Sequence, residues 1–421
     1  MCKSLTFAGL ICVLAPIYAA GQIPVLPPAT VGSTQTIDEV RKNYQIHSGP
    51  FYVNPALLLK ELGMDTNVFN DAVQPKSDFT FTVTPQADIA VPLARRGLLR
   101  MTVGTDIVYY AKYDGERSVD PRGTVRLEGY ANRVTLFVED AYLNTKQRLN
   151  YEIDLRARHL QNDLIGGVEV RVTPKTSVEV AGSRGRTRFD EDARVAGASQ
   201  SLKETLDRDT TGASVTARYK HSSLTTFAAK YERLQERFPL SPVRDNNGYR
   251  VMPGVEFRPR ALISGIAYVG YRDLEPLTST LPPYTGLVSE VGLSYTLLGS
   301  TTFGVTADRD VAFSYESLTP YFVDTSVGVF IRRAIGSKWD LLANAARHRY
   351  AYRNLTLQTA GLDALPDRTD ITNNYGLSLG YRLKRRTRMG FGAAYYTRSS
   401  TVALARNYDG LRIGTTVNYG F

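Results

Sequence analysis

The chain has 421 residues, a mass of 46.7 kDa, a formal charge of +10 and a negative mean hydropathy. With 43% hydrophobic residues, 26 Tyr and 16 Phe, it is too apolar and too aromatic for a disordered protein. Only one uninterrupted apolar segment occurs and it is short, which excludes a helical membrane protein.

That apolar segment stands at the N-terminus and predicts a secretory signal peptide over residues 1–20. Cleavage is expected after Ala19 or Ala20. A lipoprotein anchored through Cys12 is the weaker alternative, because the residue before it is bulky. Both cysteines, Cys2 and Cys12, leave with the signal, so the mature chain has none. Loss of the one Lys in the signal takes the formal charge from +10 to +9.

Residues 21–50 form a Pro-rich periplasmic segment, predicted to be extended and mobile, with a short helix near 37–43. From 51 to 421, short segments alternate apolar and polar residues. In the last segment Leu411, Ile413 and Val417 alternate with polar or small residues. Successive side chains of a strand point to opposite faces, so each segment predicts a strand with one apolar face.

Short and long breaks alternate between these segments. The short breaks lie at 94–97, 131–133, 174–176, 220–222, 258–260, 298–300, 334–337 and 384–386. The long breaks lie at 64–77, 114–121, 145–161, 190–206, 239–247, 273–284, 315–320, 354–370 and 400–407. Seventeen connections predict eighteen strands, with sixteen as the lower alternative. Within 145–161, the alternation of Tyr151, Ile153 and Leu155 leaves a further strand segment open.

This rhythm is typical of an all-β, transmembrane, antiparallel up-and-down β-barrel with short periplasmic turns and longer extracellular loops. In lipid every backbone N–H and C=O must be paired internally, so a sheet spans only when it closes. Tyr419 and the terminal Phe421 resemble the signal by which bacterial outer-membrane proteins are recognised by the barrel-assembly machinery. The alternative is a soluble strand that happens to end in Phe.

An eighteen-stranded barrel is wide enough for an aqueous channel. The polar partners of each apolar stripe are the candidates for lining it. They are Arg100, Asp106, Lys112, Arg126, Glu128, Glu169, Arg171, Arg218, Glu290, Asp324, Arg332, Arg382 and Arg412. Cations exceed acids, and opposed charges can set ion selectivity. The alternative is that these charges only pair with one another on a solvated wall.

Loops and turns offer further candidates. Residues 190–206 form the longest extracellular candidate loop, which we expect to fold inward. Leu281-Pro282-Pro283-Tyr284 is expected to stiffen another loop. The alternative for each is an exposed, mobile loop. The short turns carry ten basic residues and no acid. They suit lipid phosphates or an acidic periplasmic partner, or are simply solvated.

Enzymatic and metal sites find little support. His221 and Ser223 have a spacing seen in outer-membrane phospholipases, but they lie in a short turn without a supporting acid. Asp65, Asn67 and Asp71 offer oxygens to a cation, yet these are ordinary turn residues. We therefore predict no catalytic residue, metal site, cofactor or nucleic-acid partner.

Several short motifs carry a family resemblance. They are Pro55-Ala56-Leu57, Asp65-Thr66-Asn67-Val68-Phe69, Thr84-Pro85 and the run Glu152-Ile153-Asp154-Leu155-Arg156. With the barrel length and terminal Phe, residues 51–421 resemble the putative β-barrel porin type 2 family. Members are outer-membrane barrels, some linked to exopolysaccharide export. The resemblance implies a Gram-negative outer-membrane location and transfers no catalytic residue.

We therefore expect an outer-membrane porin that conducts secreted polysaccharide or small hydrophilic solutes. A polysaccharide conduit should place aromatic residues such as Tyr110, Tyr130 and Tyr396 in the lumen, where sugar rings stack, whereas a diffusion pore needs only the charges. The alternatives are a non-conducting barrel that acts as a scaffold for an export complex, and a barrel lipase. Expected partners are outer-membrane lipid, the assembly machinery, polysaccharide and periplasmic export components.

Overall fold

The computed structural model describes residues 40, 44–94, 96–190, 193–195, 200–258, 262–355, 366–384, 386–402 and 406–420. The predicted signal peptide and both cysteines lie outside them, as does Phe421. Within the described residues, no helix has the length and apolar character needed to cross a membrane. The described helices are α1 (Leu202–Leu206) and two 3-10 turns, Asp114–Glu116 and Pro242–Arg244.

Nineteen strands make up the described fold. They are β1 (Ile46–Ser48), β2 (Phe51–Asp65), β3 (Asp78–Leu93), β4 (Gly97–Tyr110), β5 (Ser118–Ala131), β6 (Val134–Thr145), β7 (His159–Arg171), β8 (Thr176–Phe189), β9 (Arg208–Lys220), β10 (Thr225–Arg237), β11 (Asn246–Phe257), β12 (Ile263–Pro276), β13 (Tyr284–Leu297), β14 (Thr301–Phe313), β15 (Tyr321–Ile335), β16 (Trp339–Arg353), β17 (Thr369–Lys384), β18 (Thr387–Ser400) and β19 (Tyr408–Gly420).

Strands β2 to β19 form one closed antiparallel barrel of eighteen strands. Each strand pairs with its neighbour in sequence, and β19 closes the ring on β2 through pairs such as Tyr419 with Leu57. The closed ring leaves no free edge, which satisfies the requirement that a membrane-spanning sheet pair all its backbone groups. The predicted eighteen-stranded barrel is confirmed.

The two ends of the barrel differ in the length of their connections. Each of the eight predicted short breaks falls between strands that pair in the structure, and these turns share one end, the short-turn rim. At the β13–β14 turn, Leu298 (φ 50°) and Gly299 (φ 65°) both adopt positive φ. That backbone matches the twist of a tight hairpin. The nine longer connections meet at the opposite end, the long-loop rim.

The N-terminal segment contacts the barrel before β2 begins. Val40 is helical and fully buried, and it packs with Tyr44 against Ala90 and Leu98 at the short-turn rim. β1 then pairs with the start of β2, for example Ile46 with Val53. The sequence predicts a mobile extended segment up to residue 50, so the packed Val40 and the paired β1 are a correction. The rest of the predicted helix at 37–43 lies outside the described residues.

Candidate functional site

The barrel wall has an apolar outer face and a charged inner face. On β5, Val125 and Leu127 are exposed, at 40% and 45% of their surface, and belong to the outer face. The alternating residues Arg126 and Glu128 point into the barrel, with Arg126 Nε 2.6 Å from Glu128 Oε1. Residues directly opposite in paired strands share a face, so this alternation can be followed around the barrel.

Ion pairs cover much of the inner wall in its short-turn half. Glu128 receives Arg100 at 2.9 Å in addition to Arg126, and Tyr130 donates its hydroxyl to the same carboxylate. Arg218 on β9 bridges Glu179 on the adjacent β8, at 2.8 Å, and Glu256 on β11, two strands away, at 3.3 Å. These acids are therefore held by cations from nearby strands.

The register places twelve of the thirteen predicted lumen residues on this inner face. Asp106 pairs with Arg122 at 2.8 Å, and Asp324 faces His348 at 3.4 Å. Whether solute moves along these side chains stays a prediction. Lys112 is the exception. β4 ends at Tyr110, so Lys112 lies in the next loop, where its Nζ donates to Ser77 O at the long-loop rim.

One long connection crosses the lumen. Residues 146–158, between β6 and β7, are named the inner loop here. The alternative strand through Tyr151, Ile153 and Leu155 is wrong, since these residues form no strand. Tyr151 instead packs its ring 5.1 Å from that of His348 on β16. β16 lies nine strands from β7 in an eighteen-stranded ring, so the loop reaches the diametrically opposite wall.

Arg398 on β18 anchors the inner loop to that wall. Its guanidinium donates to Asp154 Oδ2 at 3.1 Å and to Glu152 O at 3.3 Å. It also pairs with Asp370 Oδ2 at 2.7 Å. Arg368 contacts the same oxygen at 2.5 Å and donates through Nε to Asp370 Oδ1 at 3.0 Å. Arg398 is only 2% exposed, so these contacts form in a region shielded from water.

The inner loop carries a buried acid with an altered pKa. Glu152 is 1% exposed, and Ser314 Oγ donates to its Oε1 at 2.5 Å. Burial raises the pKa of Glu152 to about 7, against the hydrogen bond from Ser314, which lowers it. Nearby, burial lowers the pKa of Arg244 to about 10; its donors reach Ser241 Oγ and two backbone oxygens. Glu152 and Arg244 are therefore ionisable groups buried at this rim mainly among neutral hydrogen-bond partners.

Other long loops pack onto the inner loop. Leu202 and Leu206 of α1 are buried in one apolar cluster with Ile153, and Leu281 joins the same cluster. The sequence predicts that residues 190–206 fold inward. For residues 191–192 and 196–199, which lie outside the described residues, this stays a prediction. Its described part covers the inner loop, whereas the crossing itself is made by 146–158. The long-loop rim is thus filled by side chains from several connections.

The aromatic residues predicted to stack sugars have other roles in the structure. Tyr396 is 7% exposed and donates its hydroxyl to Asp65 Oδ1 at 2.9 Å. Tyr110 is 4% exposed and lies under the guanidinium of Arg156 on the inner loop. Tyr130 donates to Glu128. Two of the three rings are therefore covered by the loops.

The weaker chemical candidates make ordinary structural contacts. His221 lies in a short turn with its ring 5.6 Å from that of Phe227. Asp65 holds Arg412 at 2.6 Å, and Asn67 and Asp71 bond to each other in the β2–β3 loop. Among the described residues, no group of three His, Cys, Asp or Glu side chains is arranged to hold a metal ion.

The residues that hold the inner loop are not among the predicted lumen residues. Arg398 alternates with the outward Tyr395 and Thr397 on β18, so period-two alternation alone places it inside. Glu152 and Asp154 lie in a loop, where that period does not apply. Their run of alternating charged residues is the available signal, and in the sequence it leaves a strand open as an alternative to a loop.

A family model described as "Putative beta-barrel porin 2" matches residues 45–421, which include every strand described above. The chain belongs to this family. The resemblance found in the sequence is therefore confirmed, and the putative beta-barrel porin 2 protein is a porin-like barrel of the outer-membrane type. No curated protein matches it significantly in sequence.

Solved structures with a similar barrel include a BenF-like porin from Pseudomonas fluorescens Pf-5. It shares 11% identity and a TM-score of 0.49, over 89% of this chain and 99% of that one. OccK3 (OpdO) from Pseudomonas aeruginosa shares 8% identity and a TM-score of 0.45, over 88% and 95%. The siderophore receptor PirA from Pseudomonas aeruginosa shares 9% identity and a TM-score of 0.42, over 90% and 81%. At these identities and TM-scores, the solutes of the three proteins are not assigned to this chain.

Proposed function

We propose that this putative beta-barrel porin 2 protein is a diffusion channel for small hydrophilic solutes, gated at the long-loop rim by the inner loop. The supporting observation is the anchoring of residues 146–158 on the opposite wall through Arg398. A loop held by ion pairs across the lumen restricts the path that a solute can take. Small solutes fit such a path, whereas a polymer requires the loop to leave.

The charges around the inner loop favour anions. The cations there are Arg148, Arg156, Arg244, Arg368, Arg398, Arg406 and Arg412, and the acids are Asp65, Glu116, Glu152, Asp154, Glu316 and Asp370. Several buried guanidinium nitrogens, including Arg398 Nε and Arg412 Nη1, have no hydrogen-bond acceptor among the described residues. These nitrogens are buried, so they act on a solute through the positive potential to which they contribute.

The test is solute flux through proteoliposomes that contain the refolded mature protein. We expect flux to fall steeply from monosaccharides to oligosaccharides, and the reversal potential across a salt gradient to favour anions. The matched variant replaces residues 147–157 by a short Gly-Ser turn. Thr145 and His159 are directly paired, so a short turn can join β6 to β7. This variant should admit the oligosaccharides that the wild type excludes.

Two results would count against the proposal. Absence of conductance from both folded proteins would favour a non-conducting scaffold for an envelope complex. Passage of long polysaccharide through the wild type would favour the polysaccharide conduit, with export components as partners. Export by the signal over 1–20 and assembly through Tyr419 and Phe421 belong to the same proposal, and fractionation of the native protein outside the outer membrane would contradict them.

A further inference from the structure

A group of arginines lies on the outer wall of β14 to β16. Arg309, Thr325 and Arg349 are directly opposite one another on the three strands. Arg347 lies opposite Val327, which is 52% exposed and belongs to the apolar outer face. Arg309, Arg347 and Arg349 are named the arginine patch here. Their side chains leave the barrel wall on the side that contacts the membrane.

The height of the arginine patch follows from the strand geometry. Trp339 and Tyr381 lie at the short-turn end of β16 and β17 with ring centroids 4.7 Å apart, as expected of an aromatic girdle at one interface. Arg347 follows eight residues later along β16, which is about 20 Å along the barrel axis at the usual tilt. The apolar band of such barrels is about 25 Å tall, so the patch lies at the other interface.

Exposed tyrosines support this height. Tyr375 on β17 and Tyr395 on β18 are 51% and 42% exposed, and both lie on the outer face toward the long-loop rim. Arg347 is opposite Asn373, which is the next outward residue after Tyr375 in the direction of the long-loop rim. Tyrosine marks the headgroup level in barrels, and the patch stands beside it.

The charges of the arginine patch have no anionic partner among the residues that the structure describes. Arg309 donates to Leu287 O and Thr325 Oγ1, both neutral, and Arg347 and Arg349 have no hydrogen bond or ion pair within the described part of the chain. The outward positions of β13 to β17 carry no acid. On β8, by contrast, the outward Arg188 has Asp209 at 2.6 Å.

We propose that the arginine patch binds the phosphate of a lipid headgroup in the outer leaflet. Guanidinium groups bind phosphate oxygens in bidentate geometry, and an interface of low dielectric strengthens the contact. Neighbouring strands lie about 4.8 Å apart, so Arg309 and Arg349, on either side of β15, are about 10 Å apart at their backbones and can hold one headgroup between them. The proposal concerns the outer wall and is independent of the solute path.

The test is native mass spectrometry of the refolded full barrel with a phosphorylated glycolipid and its enzymatically dephosphorylated form. The triple variant Arg309→Gln, Arg347→Gln, Arg349→Gln is compared with Arg333→Gln, which removes an exposed outward arginine at the short-turn end of β15. Each basic residue near a lipid surface contributes about fivefold in affinity, so the triple variant should bind roughly a hundredfold more weakly. The Arg333 variant and the wild type should bind alike.

Four outcomes decide between these possibilities. Loss of binding in the triple variant, together with preference for the phosphorylated form, supports the arginine patch as the site. Equal binding of the triple variant, or equal binding of the dephosphorylated glycolipid, overturns it. Displacement by inorganic phosphate at the same concentration would also overturn it, because the site would then take the free ion without the lipid. Heat-dependent mobility in SDS gels verifies folding, and Arg349→Gln alone replaces the triple variant if that fails to fold.

Discussion

Replacement of Arg398 by Gln should release the inner loop and open the channel. In the structure this arginine holds the loop by two contacts, to Asp154 at 3.1 Å and to Glu152 O at 3.3 Å. Asp370 keeps its second partner, Arg368, so the wall itself is not left with an unpaired acid. The variant therefore weakens the seated state of the loop more than it weakens the barrel.

The magnitude follows from these contacts. A hydrogen bond to a charged group contributes about 1.5–3 kcal/mol, and breaking a buried ion pair costs about 3–5 kcal/mol. We take about 3 kcal/mol for the loss of Arg398, since Gln keeps part of the hydrogen bonding. That corresponds to roughly a hundredfold shift from the seated toward the displaced inner loop.

Single-channel recording in a planar bilayer measures this shift. The wild type should show brief openings, and the Arg398→Gln variant long ones of larger conductance. The matched control is Arg388→Gln on the same strand. Arg388 also lies on the inner face and pairs with Asp340 at 2.5 Å, but it is far from the inner loop. It removes the same charge without touching the loop anchor.

The reasoning would be refuted by equal open times in the wild type and the folded Arg398→Gln variant. An equal increase in both arginine variants would also refute it, because lumen charge rather than loop anchoring would then govern conductance. Limited proteolysis within residues 146–158 gives a second measure, and we expect faster cleavage only in the Arg398 variant.

Three further predictions concern pH, the backbone and the N-terminal segment. Because burial raises the pKa of Glu152 from 4.5 to about 7, the seated loop is most stable with this acid protonated and loses stability as pH rises through that range. Open probability should therefore be at least about tenfold higher at pH 8 than at pH 5, and Glu152→Gln should remove the difference. Gly265→Ala should lower the stability of the barrel by at least about 2 kcal/mol, since φ is +119° and a Cβ would lie 1.9 Å from a carbonyl oxygen; Gly292→Ala, with no atom within 4 Å, should leave the unfolding temperature unchanged. Val40→Asp should release the N-terminal segment from its buried contact, because an unpaired carboxylate is costly to bury. Trypsin should then cleave that segment at least about tenfold faster. An unchanged cleavage rate would show that the packing of Val40 does not hold the segment.

The strand rhythm was available from the sequence because each strand reports its own geometry. Alternation with period two is a property of a few consecutive residues, and the turn between two hairpin strands is equally local. The eighteen strands and the inner-face position of residues such as Arg100 and Arg412 follow from it. The same alternation on β18 places Arg398 on the inner face, so its position also follows from the sequence.

Only the tertiary structure decided which loop crosses the lumen. The anchor joins Asp154 to Arg398 across 244 positions, and Glu152 to Ser314 across 162. Contacts of that separation form only after the ring has closed, because closure brings β7 and β16 to opposite sides of one lumen. The alternating charges of the inner loop therefore resemble a strand in the sequence, yet the closed barrel places their partners on the far wall.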